Sequence, residues 1–192
     1  MSIERREISD ARTMRAMAHP TRLALLDLLR REGELTATRA AELLDESPGN
    51  MSWHLQTLAK YGFVEETGDG KGRSRPWRLT VVRNRFVPSR DDPGASAAND
   101  ELAMLLVERS AALQREWFGT RHNYTTDWQD GAFLTNSLVY LTAEELAKIS
   151  EEIIEIFARH TERLDPDKRP DGALPVRMTA YGHPLPLSES GN

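Results

Sequence analysis

The chain of 192 residues contains no cysteine, which excludes disulfide staples and thiolate metal sites at once. It also lacks a long apolar run, since nothing approaches the roughly 18 residues that a membrane-spanning helix needs. The opening segment MSIERREISDAR is too charged for a secretory leader. These absences lead us to expect a soluble, cytoplasmic chain with no membrane partner. Missing as well are a P-loop, the GxGxxG and GxSxG turns and the His-Glu-x-x-His helix that accompany common enzyme chemistries. Carboxylates adjoin at Glu144-Glu145 and Glu151-Glu152, but neighbours along a helix point apart and do not converge on one site. We expect no enzymatic activity and no cofactor.

Nitrogen and oxygen metal sites fare no better. His122, His160 and His183 are scattered, no histidine pair has i, i+4 spacing, and the long helix expected over Asp100 to Phe118 contains no histidine. No metal site is expected. The net charge of -5 hides an asymmetry. Residues 1 to 90 hold 16 Lys+Arg against 12 Asp+Glu, net +4, while residues 91 to 192 hold 9 against 18, net -9. Screening over about 8 to 10 Å lets a basic surface act independently of a distant acidic one.

The basic half carries the most informative stretch, residues 35 to 79. Ser47 is a capping residue with Pro48 behind it at the first helical position, where the missing N–H costs nothing. Met51, Leu55 and Leu58 then recur at i, i+4 and i+7, one stripe facing a core. The opposite side carries Gly49, Asn50, Ser52, Trp53, Gln56, Thr57 and Lys60, groups suited to phosphates and base edges. A shorter helix, Thr38 to Leu44, precedes it, with Ala40 and Ala41 allowing close approach and Asp45 to Pro48 as the turn. Tyr61-Gly62 ends the second helix, Phe63 and Val64 open a strand, and Trp77 and Leu79 return as its partner. Between the strands Gly68, Gly70 and Gly72 make a tip bearing Lys71, Arg73 and Arg75, placed to meet phosphate.

With these residues in view, the run AHPTRLALLDLL (Ala18 to Leu29) followed by SPGNMSWHLQTLAKYGFVEE (Ser47 to Glu66) resembles the ArsR-type winged-helix transcriptional repressors. Those proteins carry a histidine-proline-x-arginine opening to one helix and a serine-x-histidine-leucine signature in the recognition helix. Here His19, Pro20 and Arg22, then Ser52, His54 and Leu55, match them. The resemblance covers about the first 85 residues. It implies a dimeric regulator that binds an operator and responds to a signal, with helices flanking the head forming the dimer interface.

Around the head, Ile8 to Met17 reads as a first helix and Thr21 to Arg31 as a second, whose leucines form the core. Pro88 to Asn99 lacks apolar periodicity and reads as a linker. Beyond it, Asp100 to Phe118 carries Leu102, Leu105, Leu106, Leu113 and Trp117 three or four positions apart. Following the resemblance, this helix and the first one are assigned to self-association; packing within the chain is the alternative, and the two can coexist. Ala132 to Leu141 reads as a strand. Thr142 with Glu145 makes a capping box opening a helix from about Ala143 to Arg163, and Pro175 to Tyr181 reads as a last strand.

Several side chains admit two readings. Trp53 either wedges against sugar or a thymine methyl or packs on a neighbour. His54, roughly 60° from the core stripe, either packs or touches phosphate. His19 reads as structural, fixing the turn before Pro20, and Trp77 as a packing residue. Trp117, Phe118, Tyr124, Trp128, Phe133 and Tyr140 would suit an apolar pocket for a small-molecule effector, although a domain core is the favoured reading.

The expected fold is mainly α with a small β-hairpin wing. It comprises a winged helix-turn-helix head (1–87), a linker (88–99), a dimerisation helix (100–119) and a C-terminal α+β or helical extension (120–192). The expected function is a homodimeric, sequence-specific DNA-binding regulator, most simply a repressor, acting on an inverted-repeat operator in double-stranded DNA. Asn50, Trp53, Gln56 and Thr57 would meet base edges. Ser47, Ser52, Lys60, Lys71, Arg73 and Arg75 would bind phosphate, with Gly49 and His54 beside them. The alternative is a winged-helix protein-interaction module that does not bind DNA.

Overall fold

The computed structural model describes residues 4–68, 75–80, 82–87 and 91–186. Lys71 and Arg73 of the expected wing tip lie outside them, as do residues 88–90. The chain divides into two compact units, Met1–Glu116 and Trp117–Asn192.

In the first unit β1 (Glu4–Ile8) precedes α1 (Ala11–Met17). The expected first helix thus starts three residues late, because Asp10 caps it by accepting from the Thr13 N–H at 2.8 Å and its carboxyl is thereby held below the usual carboxylate range. Ile8 belongs to a strand instead. α2 (Pro20–Glu32) follows, and Leu23, Leu25, Leu26, Leu28 and Leu29 are all buried. After the two-residue β2 (Glu34–Leu35), α3 (Ala37–Leu44) is capped by Thr36, whose side chain accepts from Arg39 N–H. α4 (Pro48–Lys60) is capped by Ser47. β3 (Val64–Glu66) and β4 (Trp77–Leu79) form the antiparallel wing, with Val64 opposite Leu79 and Glu66 opposite Trp77. β2 pairs on the other edge of β4.

β5 (Val82–Phe86) runs parallel to β1, Ile8 facing Phe86. α5 (Pro93–Thr120) then starts well inside the expected linker. Asp92 begins it, its carbonyl accepting from Ala95 and Ser96 N–H groups and its carboxylate from Gly94 N–H. Ala95 and Ala98 are wholly buried, so half of that stretch belongs to the core-facing helix. Leu102 is buried in the same core and Leu105 packs against it. As a residue assigned to self-association Leu102 is therefore corrected, since a side chain inside its own core presents nothing to a partner. Leu113 and Trp117 are half-buried, whereas Met104, Leu106 and Val107 are exposed. Arg109 fastens the helix to α2 by donating to Asp27 Oδ2 from Nε at 3.0 Å and from a terminal nitrogen at 2.8 Å.

The second unit contains α6 (Thr126–Gly131), α7 (Ala143–Ala158) and short 3-10 turns. The capping box forms as expected, Thr142 and Glu145 each satisfying the other's N–H. α7 stops five residues before the expected Arg163. The two expected strands are corrected: neither 132–141 nor 175–181 joins a sheet among the described residues. Of the two expected forms of extension, the structure has the helical one. No described residue of this unit is buried. Its aromatic residues consequently build no buried core among the described residues. Trp117 and Tyr124 stack with ring centroids 5.2 Å apart, while Phe118, Phe133 and Tyr140 are exposed. Among the described residues no helix is long and apolar enough to cross a membrane.

Candidate nucleic-acid interface

The interface is built on α4. Ser47 Oγ accepts from Asn50 N–H at 3.2 Å, and Pro48 occupies the first turn. Met51, Leu55 and Leu58 are wholly buried, which fixes the rotation of the helix about its axis and so determines what faces outward. Trp53, 57% exposed, stands out from the surface with Gly49, Gln56 and Lys60, while Asn50, Ser52 and Thr57 are half-exposed beside them. No carboxylate occurs between Pro48 and Lys60; the nearest, Glu46, lies just before the helix and is held by Asn50.

The polar groups are already held in place. Gln56 Nε2 donates to Ser52 Oγ at 3.4 Å, Asn50 Nδ2 to Glu46 Oε2 at 3.0 Å, and the Thr57 hydroxyl to the Trp53 carbonyl at 2.9 Å. The Lys60 ammonium lies 5.8 Å from the Tyr61 ring centroid. Gly62 takes a left-handed φ of 72°, as expected of the residue that ends the helix.

His54 does not belong to this face. It is 2% exposed, and its ring lies 4.6 Å from that of His19 and 4.7 Å from that of Trp53. The expectation of a phosphate contact is corrected, because a group shut inside the head cannot reach DNA. Burial holds both histidines below the usual imidazole range, with His19 and Arg22 adding to the effect on His54 and Arg22 to that on His19. His54 Nδ1 is buried without a hydrogen-bond partner, an arrangement suited to a neutral ring. The signal was in the spacing: positions 51, 54, 55 and 58 are i, i+3, i+4 and i+7 of one buried side. His19 is structural as expected, Nδ1 accepting from Thr21 N–H at 3.2 Å to cap α2. Arg22, the last of that motif, donates to the Ala16 carbonyl.

In the wing Trp77 is buried. Arg75 is exposed but donates to Glu66 at 2.9 Å, and Arg78, which sequence reasoning passed over, donates to Glu65 at 2.8 Å directly across the strand pair. Both cations are thus partly neutralised in the free chain. Arg6 was also missed. Its guanidinium donates to the Tyr61 carbonyl at 2.8 Å, reaches the Gly62 carbonyl at 3.4 Å and lies over the Phe63 ring, tying β1 to the end of α4. Among the described residues no group of three or more His, Asp or Glu side chains is placed to hold a metal ion.

Residues 17–67, spanning α2 to the start of the wing, match the family model of a helix-turn-helix domain. This segment is a helix-turn-helix. The fold and this match together support a DNA-binding transcriptional regulator with a winged head. Among solved structures the chain is similar to the YusO protein of Bacillus subtilis, with a TM-score of 0.34 and 16% identity over 77% of this chain and 82% of that one. It is similar also to the adhesin competence repressor AdcR of Streptococcus pyogenes (TM-score 0.32, 19% identity, 75% and 82% covered). ZitR of Lactococcus lactis scores alike (TM-score 0.32, 20% identity, 73% and 83% covered). No curated protein matches the chain.

Proposed function

We propose that the chain is a homodimeric, sequence-specific transcriptional repressor of the ArsR type that lays α4 in the major groove of an inverted-repeat operator. The observation that carries the reading is the outward side of α4, free of carboxylates and presenting Trp53, Gln56 and Lys60 from a helix locked by three wholly buried side chains. Gln56 and Asn50 are amides of the kind that read adenine edges. Trp53 supplies apolar surface for a thymine methyl. Thr57 turns its hydroxyl back to the helix, leaving its own methyl toward the groove. Ser47, Ser52 and Lys60 meet the backbone on either side, and Gly49 allows a phosphate to approach the free N–H groups of the first turn. Lys71, Arg73 and Arg75 of the wing hold the flanking backbone; Arg75 exchanges Glu66 for phosphate as it does so.

Self-association is assigned to the outward residues of α5, Met104, Leu106 and Val107, in place of the buried Leu102. Two-fold symmetry then sets half-sites about 34 to 36 Å apart, one helical turn. Selection of bound sequences from a random duplex library tests the reading. An inverted repeat with that spacing is the expected result. Recovery of no enriched sequence, or of unpaired half-sites, contradicts it.

A further inference from the structure

A long exposed apolar stretch follows α6. Phe133, at 73% exposure, is accompanied by Leu134, Leu138, Val139 and Tyr140, all more than half exposed. Residues 132–141 contain no helix, strand, turn or bend, and no backbone hydrogen bond of theirs occurs among the described residues. Their N–H and C=O groups are therefore open to pairing with another strand.

The sequence states which partner fits. Read outward from Asn136 in both directions, the segment repeats itself by side-chain class: Thr135 matches Ser137, Leu134 matches Leu138, and Phe133 matches Val139. In an antiparallel pair, opposed side chains share a face, so a two-fold axis normal to the sheet must fall on a residue and not between two. An axis at Asn136 places leucine on leucine, hydroxyl on hydroxyl and an aromatic ring on a β-branched side chain, the pairs that stabilise sheets. A single chain could exploit the same symmetry by folding back as a hairpin. That needs a turn at Asn136, and none is present; the only non-glycine residue with positive φ among those described is Asp45.

Charge points the same way. Although residues 91 to 192 carry net -9, no charged residue lies between Asp130 and Glu144, so two copies can meet there without opposing like charges. The absence of cations also makes the segment unsuited to nucleic acid. Aromatic side chains bury about 150 to 250 Å² each. Phe133 and Tyr140 with their aliphatic neighbours thus carry several hundred Å² of apolar surface per copy, divided between the two faces of the pair.

We infer that residues 132–140 pair antiparallel with the same segment of a second copy about a two-fold axis at Asn136, giving the C-terminal unit the buried surface it lacks alone. The inference shares a two-copy assembly with the reading above, but it needs neither DNA nor α5. Because the chain has no cysteine, one introduced thiol reports on the axis. In the full chain under mild oxidation, Asn136→Cys should form a disulfide-linked dimer at least about tenfold faster than Ser137→Cys, whose copies would sit on the other face and about 8 Å apart, beyond disulfide reach. In sedimentation equilibrium Leu134→Glu should raise the dissociation constant about tenfold or more, and adding Leu138→Lys should restore association. Equal crosslinking rates, or association indifferent to Leu134→Glu, overturn the inference and leave self-association to α5 or this segment to a different protein. Neither readout involves operator binding, so failure of the repressor reading leaves the outcome interpretable.

Discussion

The head and the C-terminal unit use similar materials with opposite results. From Ile8 to Leu102 the apolar side chains of α1 to α5 and the wing close over one another, and Met14, Leu25, Met51, Leu55 and Leu58 lose essentially all contact with solvent. Between Trp117 and residue 186 helices form, a capping box closes and aromatic rings stack, yet not one described residue is buried. The contrast separates local from tertiary determinants. Caps and periodicity suffice to make α7, but helices gain most of their stability from packing, and α7 carries an apolar face with Ile149 and Ile156 still exposed. A unit of this kind draws its stability from association, whereas the head carries its own.

That difference can be tested by removing equivalent groups from each side. Leu55→Ala should cost about 2 to 5 kcal/mol of head stability, read as a lowered denaturant midpoint. Leu138→Ala, at concentrations where the chain is monomeric, should cost within about 0.5 kcal/mol. Equal losses would erase the distinction. Next in size, Ser47→Ala should cost about 1 kcal/mol by freeing the N–H groups at the start of α4, with the helical signal of the second unit unmoved. Asp45 ends α3 with a φ of 53°, so Asp45→Gly should stabilise the head by up to about 1 kcal/mol, visible as a higher thermal midpoint.

A subtler difference concerns pH. His19 and His54 have folded-state values pushed below the unfolded imidazole value of about 6.5. Between the two, the unfolded chain binds protons that the folded head refuses, so stability rises with pH across that window and is lost as pH falls below about 6.5. Above it these groups contribute no slope. Denaturation at pH 7 and pH 5 should show a less stable head at pH 5, and His54→Gln should flatten the difference. A head more stable at pH 5 would contradict the neutral, buried assignment.

What was legible in the sequence was what local chemistry writes. Ser47 and Pro48 marked the start of α4, Gly62 its end, and Thr142 with Glu145 the start of α7, because each signal acts within one helical turn. Pairings across the chain were not legible: nothing in Glu4–Ile8 announces a parallel partner at Val82–Phe86, and Ile8 was drawn into a helix that Asp10 in fact begins. Pro93 fell within the stretch read as a linker although, after Asp92, it opens α5; Ala95 and Ala98 are too small to register as periodic apolar residues yet are wholly buried. At the interface the outward face of α4 followed from geometry. For His54 packing and phosphate contact were both left open, although its position relative to Met51, Leu55 and Leu58 already assigned it inward.

The most direct measurement is a salt titration of full-length chain binding to a duplex containing its selected sequence, followed by fluorescence anisotropy, with Lys60→Ala and Gln56→Ala alongside. If α4 lies in the groove, affinity falls steeply with salt, Lys60→Ala flattens the logarithmic slope by about 0.9, and Gln56→Ala leaves the slope unchanged while losing about 1 to 3 kcal/mol of discrimination at one base pair. Binding that ignores salt, or that both substitutions leave untouched, would show that this face of the helix does not touch DNA.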